Sequence, residues 1–566
     1  MRAARRAQAL AALLLLGPAA ARAQLVCQGH PIRFVVLRPS SIFSIEHAPF
    51  PALVQRVGTD ISWQTRPATI RRELRFQAGD SCDVARLAES ERILRALPYI
   101  RLAIITTEPA PGDSVDVVVS TRDDWSLGGD LGIDTRNSRP LRAARLTELN
   151  LLGTGTFAQI RYDDYGRKPG LAVGLLFRQI GDTHSDAEVL GGRTSVGTVG
   201  AVSLRRVFQS EYDRIAWGGS VRWRAEPFIY NSLRFGTVVQ PTVSAGADVG
   251  LVWRTGPVGR RLLLGGALSS ERLYTFGGGL ATLATDDSAA TAELAGHFQE
   301  RRRVSVNVIA GIRHIRFVSH AGVDAVNAPE DIREGVELRA IGGIGVGGMG
   351  LEADRFGLID VYLGTPVGQR TLAFFRSRIE GRYLTDSLRW DNIIAAADLF
   401  TYTTVSPRGA VTLFVQTAGG WNTTTPFQLD VAGFTAMRGF GHYGLPAGRR
   451  VVVQLEHRYF LGTVLGVADL GTAAFMDVGR GWAGDAVFGQ NTFTLVALGV
   501  GLRAGVPSGS RFATRLDIAV PVNGGHGAEL RLTLRQQFGI TRPEPADIER
   551  SRLPVSTSAL FNFTRY

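Results

Sequence analysis

This chain of 566 residues has almost no lysine: of its 63 basic residues, Lys168 alone is not an arginine. It has two cysteines, Cys27 and Cys82, both in the first hundred residues, and no apolar run as long as 18 residues. Each scarcity excludes something. Without an 18-residue apolar segment there is no ordinary membrane-spanning helix. Two cysteines are too few for a disulfide-built fold. The nine histidines are dispersed without metal-ligand spacing and no G-x-S-x-G occurs, so neither a metal centre nor a nucleophile elbow is legible. The formal net charge of +12 is scattered rather than run together, which argues against nucleic acid as a partner.

What is abundant is glycine, 67 residues, well above the usual share of about 7%. The N-terminus has the three parts of a secretory signal: Arg2, Arg5 and Arg6, an apolar run from Ala9 to Leu16, and Ala21-Arg22-Ala23 before Gln24. Residues 1–23 are expected to be removed. Acylation at Cys27 is the weaker alternative, because bulky Val26 stands where a small residue is wanted. A secreted chain without an apolar helix can enter a membrane only as a closed barrel. In an oxidising compartment Cys27 and Cys82 are either joined or left as two free thiols.

Residues 24–122 read as one α+β unit. Ile32 to Val36 is strand-like, and Thr65 before Pro67 is a helix start, with Ile70 and Leu74 one turn apart. Val84, Leu87, Leu94 and Leu97 repeat at helical spacing until Pro98. Leu102 to Thr106 and Val115 to Ser120 then flank a Pro-Gly-Asp turn, completing the order β-α-α-β-β.

From Asp124 onward alternation replaces helical periodicity. Ile215, Trp217, Gly219, Val221 and Trp223 share one face, and Arg214, Ser220, Arg222 and Arg224 the other. Leu530, Leu532, Leu534 and Phe538 alternate in the same way with Glu529, Arg531, Thr533 and Arg535. Strands between lipid and a watery lumen need this pattern. It persists over 123–538, far longer than the roughly 100 residues of a soluble sandwich domain. A G-x-G-x-x-G at Gly343, Gly345 and Gly348 lies in β-like sequence, without the strand-turn-helix context of a nucleotide site. His314, His457 and His526 fall in or beside predicted strands, as lumen-facing or interfacial residues rather than bases.

Phe434 to Phe440 reads F-T-A-M-R-G-F, and F-M-D-V-G follows at Phe475 to Gly479. The first lies in a long hairpin loop rich in apolar residues, better folded back inside a barrel than held in solvent. A desolvated Arg438 needs a carboxylate, and Asp477, on the strand parity of Gly479, is placed to supply it. This pair of segments resembles the signature of the BamA/TamA superfamily of outer-membrane proteins. The Arg71 to Asp80 run and Leu97 to Ile100 (L-P-Y-I) look like its polypeptide-transport-associated (POTRA) domain. Glu148 to Gly155, Leu455 to Phe460 and Leu516 to Val522 look like its early and late barrel segments. The resemblance implies one α+β POTRA domain in the periplasm followed by an all-β antiparallel transmembrane barrel of 16 strands in the bacterial outer membrane. It assigns Met437, Arg438, Gly439 and Phe440 to a lumen loop, with Asp477 as the arginine's partner, Gly439 as its turn and Phe440 as its anchor. Residues 539–566 depart from the pattern and are either a tail or the closing strand.

By the same resemblance the chain inserts barrel proteins into the membrane or translocates polypeptides across it. The route is a seam between a first strand near Trp125, Leu127 and Leu131 and a last strand at Leu532, Leu534 and Phe538, where a client strand can add. The implied partners are client polypeptides, outer-membrane lipid, and accessory lipoproteins or periplasmic chaperones. No cofactor, metal or nucleic acid is called for. A secretion pore for one partner, a barrel enzyme such as a lipid hydrolase, and a passive pore are the alternatives.

Overall fold

The computed structural model describes residues 27–42, 62–133, 141–164, 169–181, 183–275, 281–282, 288–295, 297–348, 351–432, 436–441, 444–525, 527–536 and 544–552. The signal-like segment, Phe434, His526 and Phe538 lie outside them.

The N-terminal unit has the expected order: β1 (Ile32–Ser40), α1 (Pro67–Glu73), α2 (Val84–Ala96), β2 (Ile100–Ala110) and β3 (Ser114–Asp123). Proline in the first turn of α1 uses a position where the missing N–H has no helical partner. Asp83 caps α2 by accepting from the Ala85 N–H. The sheet runs β1-β3-β2, with β1 parallel and β2 antiparallel to β3. Ile70, Leu74, Leu87, Leu94 and Leu97 fill the space between helices and sheet. Cys27 and Cys82 are bonded to each other in that core, Cα to Cα 5.8 Å. The bond therefore staples this unit internally.

Among the described residues, twenty antiparallel strands close a barrel, from Leu127–Ile133 to Glu529–Gln536. The expected sixteen is too few. Strands on one side are short, 8 residues in each of Thr156–Asp163, Gly170–Phe177 and Asp186–Arg193. The turn Thr194–Gly197 joins Asp186–Arg193 to Thr198–Arg206, so little chain is spent on that connection. The longest described strand, Arg301–Ala321 with 21 residues, stands across from the closure. Trp125 precedes the first strand rather than belonging to it.

The barrel is apolar outside and charged inside. Val221, Trp223, Leu498, Val500, Leu502, Leu530 and Leu532 are exposed outward, while Arg222 turns inward to Asp248 at 2.9 Å. A closed ladder with this polarity satisfies its backbone within itself and presents an apolar band, the solution that lipid demands. The chain is an outer-membrane β-barrel protein. No helix among the described residues is long and apolar enough to cross a membrane. Gly343 and Gly345 lie within a wall strand, Pro329–Gly345; a Cβ on Gly343 would come 2.1 Å from the Asn307 side chain. Packing, not phosphate binding, explains that motif. His314 and His457 point outward, not into the lumen.

The N-terminal unit docks on the turns at its own end of the barrel. Arg95 reaches Asp331 at 2.9 and 3.1 Å, Arg101 the Ser508 carbonyl at 2.6 Å, and Arg511 returns a bond to the Leu97 carbonyl at 2.6 Å. The E-L-N-L-L-G-T-G segment forms one of these turns. Gly153 (φ +72°) accepts from the Arg66 N–H and the Thr69 hydroxyl, both at 2.9 Å. A Cβ there would sit 2.2 Å from the Gln64 carbonyl oxygen, so only glycine allows the approach.

Candidate functional site

The site is the loop between strands Gly409–Trp421 and Arg449–Val464, folded into the lumen against the last five strands. Its sequence explains the fold-back. Val431, Ala432, Ala436, Met437 and Phe440 are buried with wall residues Val452, Leu495 and Ala497, which removes from water a run of apolar side chains too long for a solvated tip. At the turn, Gly439 takes φ +88° with the space for a Cβ closed by Ala497 at 3.0 Å. Met437 lies over Gly479, where a Cβ would meet its sulfur at 2.1 Å.

Arg438 is the centre. Its Nε and Nη2 donate to the two Asp477 oxygens at 2.9 and 2.7 Å, and its own backbone N–H adds a third bond at 3.0 Å. Nη1 donates to Glu456 at 2.8 Å and lies 3.6 Å from Asp517. The guanidinium stacks 3.4 Å from the centre of the Phe475 ring. Arginine is required by this geometry, since a lysine ammonium cannot fork onto one carboxylate while facing a second and an aromatic plane. Arg458, Arg503 and Arg515 donate to Glu456 at 2.9, 3.1 and 2.9 Å. Four arginines thus surround the three acids Glu456, Asp477 and Asp517. Buried charges at this density persist only when each is paired and hydrogen-bonded.

The structure brings together Met437, Arg438, Gly439, Phe440 and Asp477. It keeps them apart from Cys27 and Cys82 in the N-terminal unit. Of the residues assigned to the seam, Leu532 and Leu534 face outward on the last strand and Leu127 is half-buried on the first, with Leu131 in the same strand. Sequence reasoning missed Glu456, and also Glu529 and Arg531 as loop contacts. Arg531 donates to the Met437 carbonyl at 2.9 Å, and Glu529 accepts from the Gly441 N–H at 2.9 Å. The last strand therefore holds the loop from the other side. The signal was present: Glu456 lies in L-E-H-R-Y-F, and Glu529 and Arg531 lie on the polar parity of their strand. Which inward charge faces the loop depends on barrel register, which one strand does not reveal. Among the described residues no group of acids, histidines and cysteines could hold a metal.

Neither a family model nor a curated protein matches this chain. Among solved structures, BamA from Haemophilus ducreyi lacking POTRA domains 1–3 is 12% identical over 88% of this chain and 83% of that one, TM-score 0.40. CdiB from Escherichia coli is 12% identical over 89% and 75%, TM-score 0.44. Pseudomonas aeruginosa OpdQ is 10% identical over 73% and 96%, TM-score 0.30. At these values no function passes from those proteins to this one.

Proposed function

We propose that this protein inserts polypeptides into, or translocates them across, the outer membrane through the seam between its first and last strands, with the N-terminal unit acting as a periplasmic POTRA domain. The observation that carries the reading is the grip of the last strand on the lumen loop, through Arg531 to Met437 and Glu529 to Gly441. A loop clamped on Asp477 and Glu456 is also a clamp on one side of the closure. The other side of the closure is the first strand, whose described part is Leu127–Ile133. A client strand adding there gains main-chain hydrogen bonds and buries its apolar face in lipid, and neither step needs a cofactor. A passive pore has less support, because the lumen is occupied by Val431, Ala432, Met437, Phe440 and the charge network of Arg438.

Replacement of Arg438 by alanine tests this. It leaves three arginines facing three acids, so the wall keeps its charge balance while the loop loses its forked bonds. The expected result is a barrel that assembles with reduced heat resistance on gels and inserts or secretes clients several-fold more slowly. Crosslinkers at Leu532 or Leu127 in living cells should trap client strands. Normal heat resistance, full client transport and empty crosslinks would sink the proposal.

A further inference from the structure

The second occupant of the lumen is the chain's own C-terminal segment. The sequence leaves residues 539–566 as either a tail or a closing strand. In the described part, Glu544 to Arg552, a six-residue helix (Ala546–Ser551) lies instead against the inner wall. Asp547 forks onto Arg450, with Nη1 on Oδ2 and Nη2 on Oδ1, the latter at 3.2 Å, and accepts the Asp430 N–H at 3.1 Å. Ile548 is 1% exposed and fills an apolar socket of Ile394, Ala418, Phe427 and Leu429. Arg552 approaches Glu380 at 3.7 Å.

Two features mark this as a ligand in a site rather than part of the wall. Arg450 is 1% exposed on strand Arg449–Val464, and among the described residues the carboxylate paired with it is Asp547, 97 positions later. Its remaining partners are neutral, the Gln416 side chain at 3.2 Å and the Asp430 carbonyl at 2.5 Å. A buried cation whose counter-charge arrives on a separate segment is a receptor for an acid. A helix of six residues, moreover, has no stability of its own in water, so its order comes from the groove. It is held by the ion pairs Arg450–Asp547 and Glu380–Arg552, the Asp430 N–H bond and one apolar side chain, with the effective concentration of a short tether. No sheet ladder fixes it.

We propose that the wall around Arg450 is a peptide-binding site for an acidic residue followed by an apolar one, and that residues 544–552 fill it as a tethered, exchangeable ligand. Where a polypeptide passes through the barrel, a segment of that chemistry displaces the tail and lifts its hold on Asp430, and with it on the loop that carries Arg438. The displacement by a client rests on the function proposed above. Occupancy by the tail does not.

The absence of free thiols makes the test direct, because Cys27 and Cys82 are bonded to each other. Ser551, 2% exposed, is changed to cysteine in the full chain, and its reaction with a polymer-linked maleimide too large for the lumen is timed. Slow reaction is expected in S551C alone. Adding D547R or I548D should accelerate it roughly tenfold or more, the change produced by losing about 1.4 kcal/mol of binding. Adding R450D to D547R should restore protection, and this charge swap decides the matter if a single variant fails to fold. A synthetic peptide of residues 544–552 should bind the I548D protein and not the unmodified one. Fast modification of S551C alone, equal rates in all variants, or equal peptide binding to both proteins would overturn the site. If tail occupancy holds but client crosslinking from the seam finds nothing, the site stands and the transport reading fails.

Discussion

Arg438 and Asp477 are 39 positions apart, yet chain order and chemistry suffice to pair them, because a desolvated guanidinium admits few partners and strand parity selects among the acids. The same logic makes the two residues unequal. Removing Asp477 leaves four arginines against Glu456 and Asp517, an uncompensated buried charge that costs roughly 3 to 5 kcal/mol. Asp477→Ala should therefore lower barrel stability more than Arg438→Ala, as urea-unfolding midpoints in lipid vesicles would measure. Asp123 gives a pH dependence of opposite sense to an ordinary carboxylate. It is buried where β3 leads into the barrel, accepting from the Thr65 N–H and hydroxyl, both at 2.8 Å. Burial pushes its carboxyl from 3.8 up to about 6. The folded state thus prefers the protonated acid: its contribution is whole below about pH 4 and is lost as pH rises through 6, by at most about 3 kcal/mol. The protection factor of the Thr65 amide, the intrinsic base-catalysed rate at each pH over the observed exchange rate, should fall from pH 4 to 7, and D123N should flatten that fall.

At the scale of elements, the disulfide and the strands act through different states of the chain. The Cys27–Cys82 bond spans 55 positions and restricts the unfolded N-terminal unit, a stabilisation of about 4 kcal/mol on the loop-entropy model. C27S/C82S should unfold that unit at lower denaturant while the barrel's heat resistance stays unchanged, which separate fluorescence and gel measurements would distinguish. In the wall, one residue decides between lipid and lumen. Val500 faces outward, while Arg503, three positions on, faces Asp517 across the inside at 2.5 Å. Val500→Arg should cost about 2 to 4 kcal/mol in reversible unfolding if that position lies near the bilayer midplane. The β-α-α-β-β order was legible because Ile70, Leu74, Leu87 and Leu94 carry helical spacing. The strand count was not, because glycine-rich stretches such as 342–350 blur the strand ends, and strand length varies from 8 residues in Thr156–Asp163 to 21 in Arg301–Ala321.

For the whole molecule, the docking of the N-terminal unit and the filling of the lumen make the barrel a closed object. A cavity of about 440 Å³ lies between the docked unit and the lumen, bordered by Tyr99, Gln159, Arg313 and Glu330. Parting of unit and barrel would open it. Arg95→Glu breaks both bonds to Asp331, worth about 1 kcal/mol for a partly buried pair. It should raise hydrogen exchange in the 322–331 turn, and the swap R95D/D331R should reverse the effect.

The amino-acid sequence alone determined that the chain alternates strand by strand between lipid and charge, that one small α+β unit precedes the barrel, and that Arg438 must meet an acid. All of these follow from local periodicity and from the cost of burying a charge. Only the tertiary structure decided that twenty strands close the wall, that Glu529 and Arg531 of the last strand hold the lumen loop, and that Asp547 returns to Arg450. Those contacts join segments from as little as 88 to nearly a hundred positions apart, and which side chains meet across a barrel is set by its closure and register, quantities that no single strand carries.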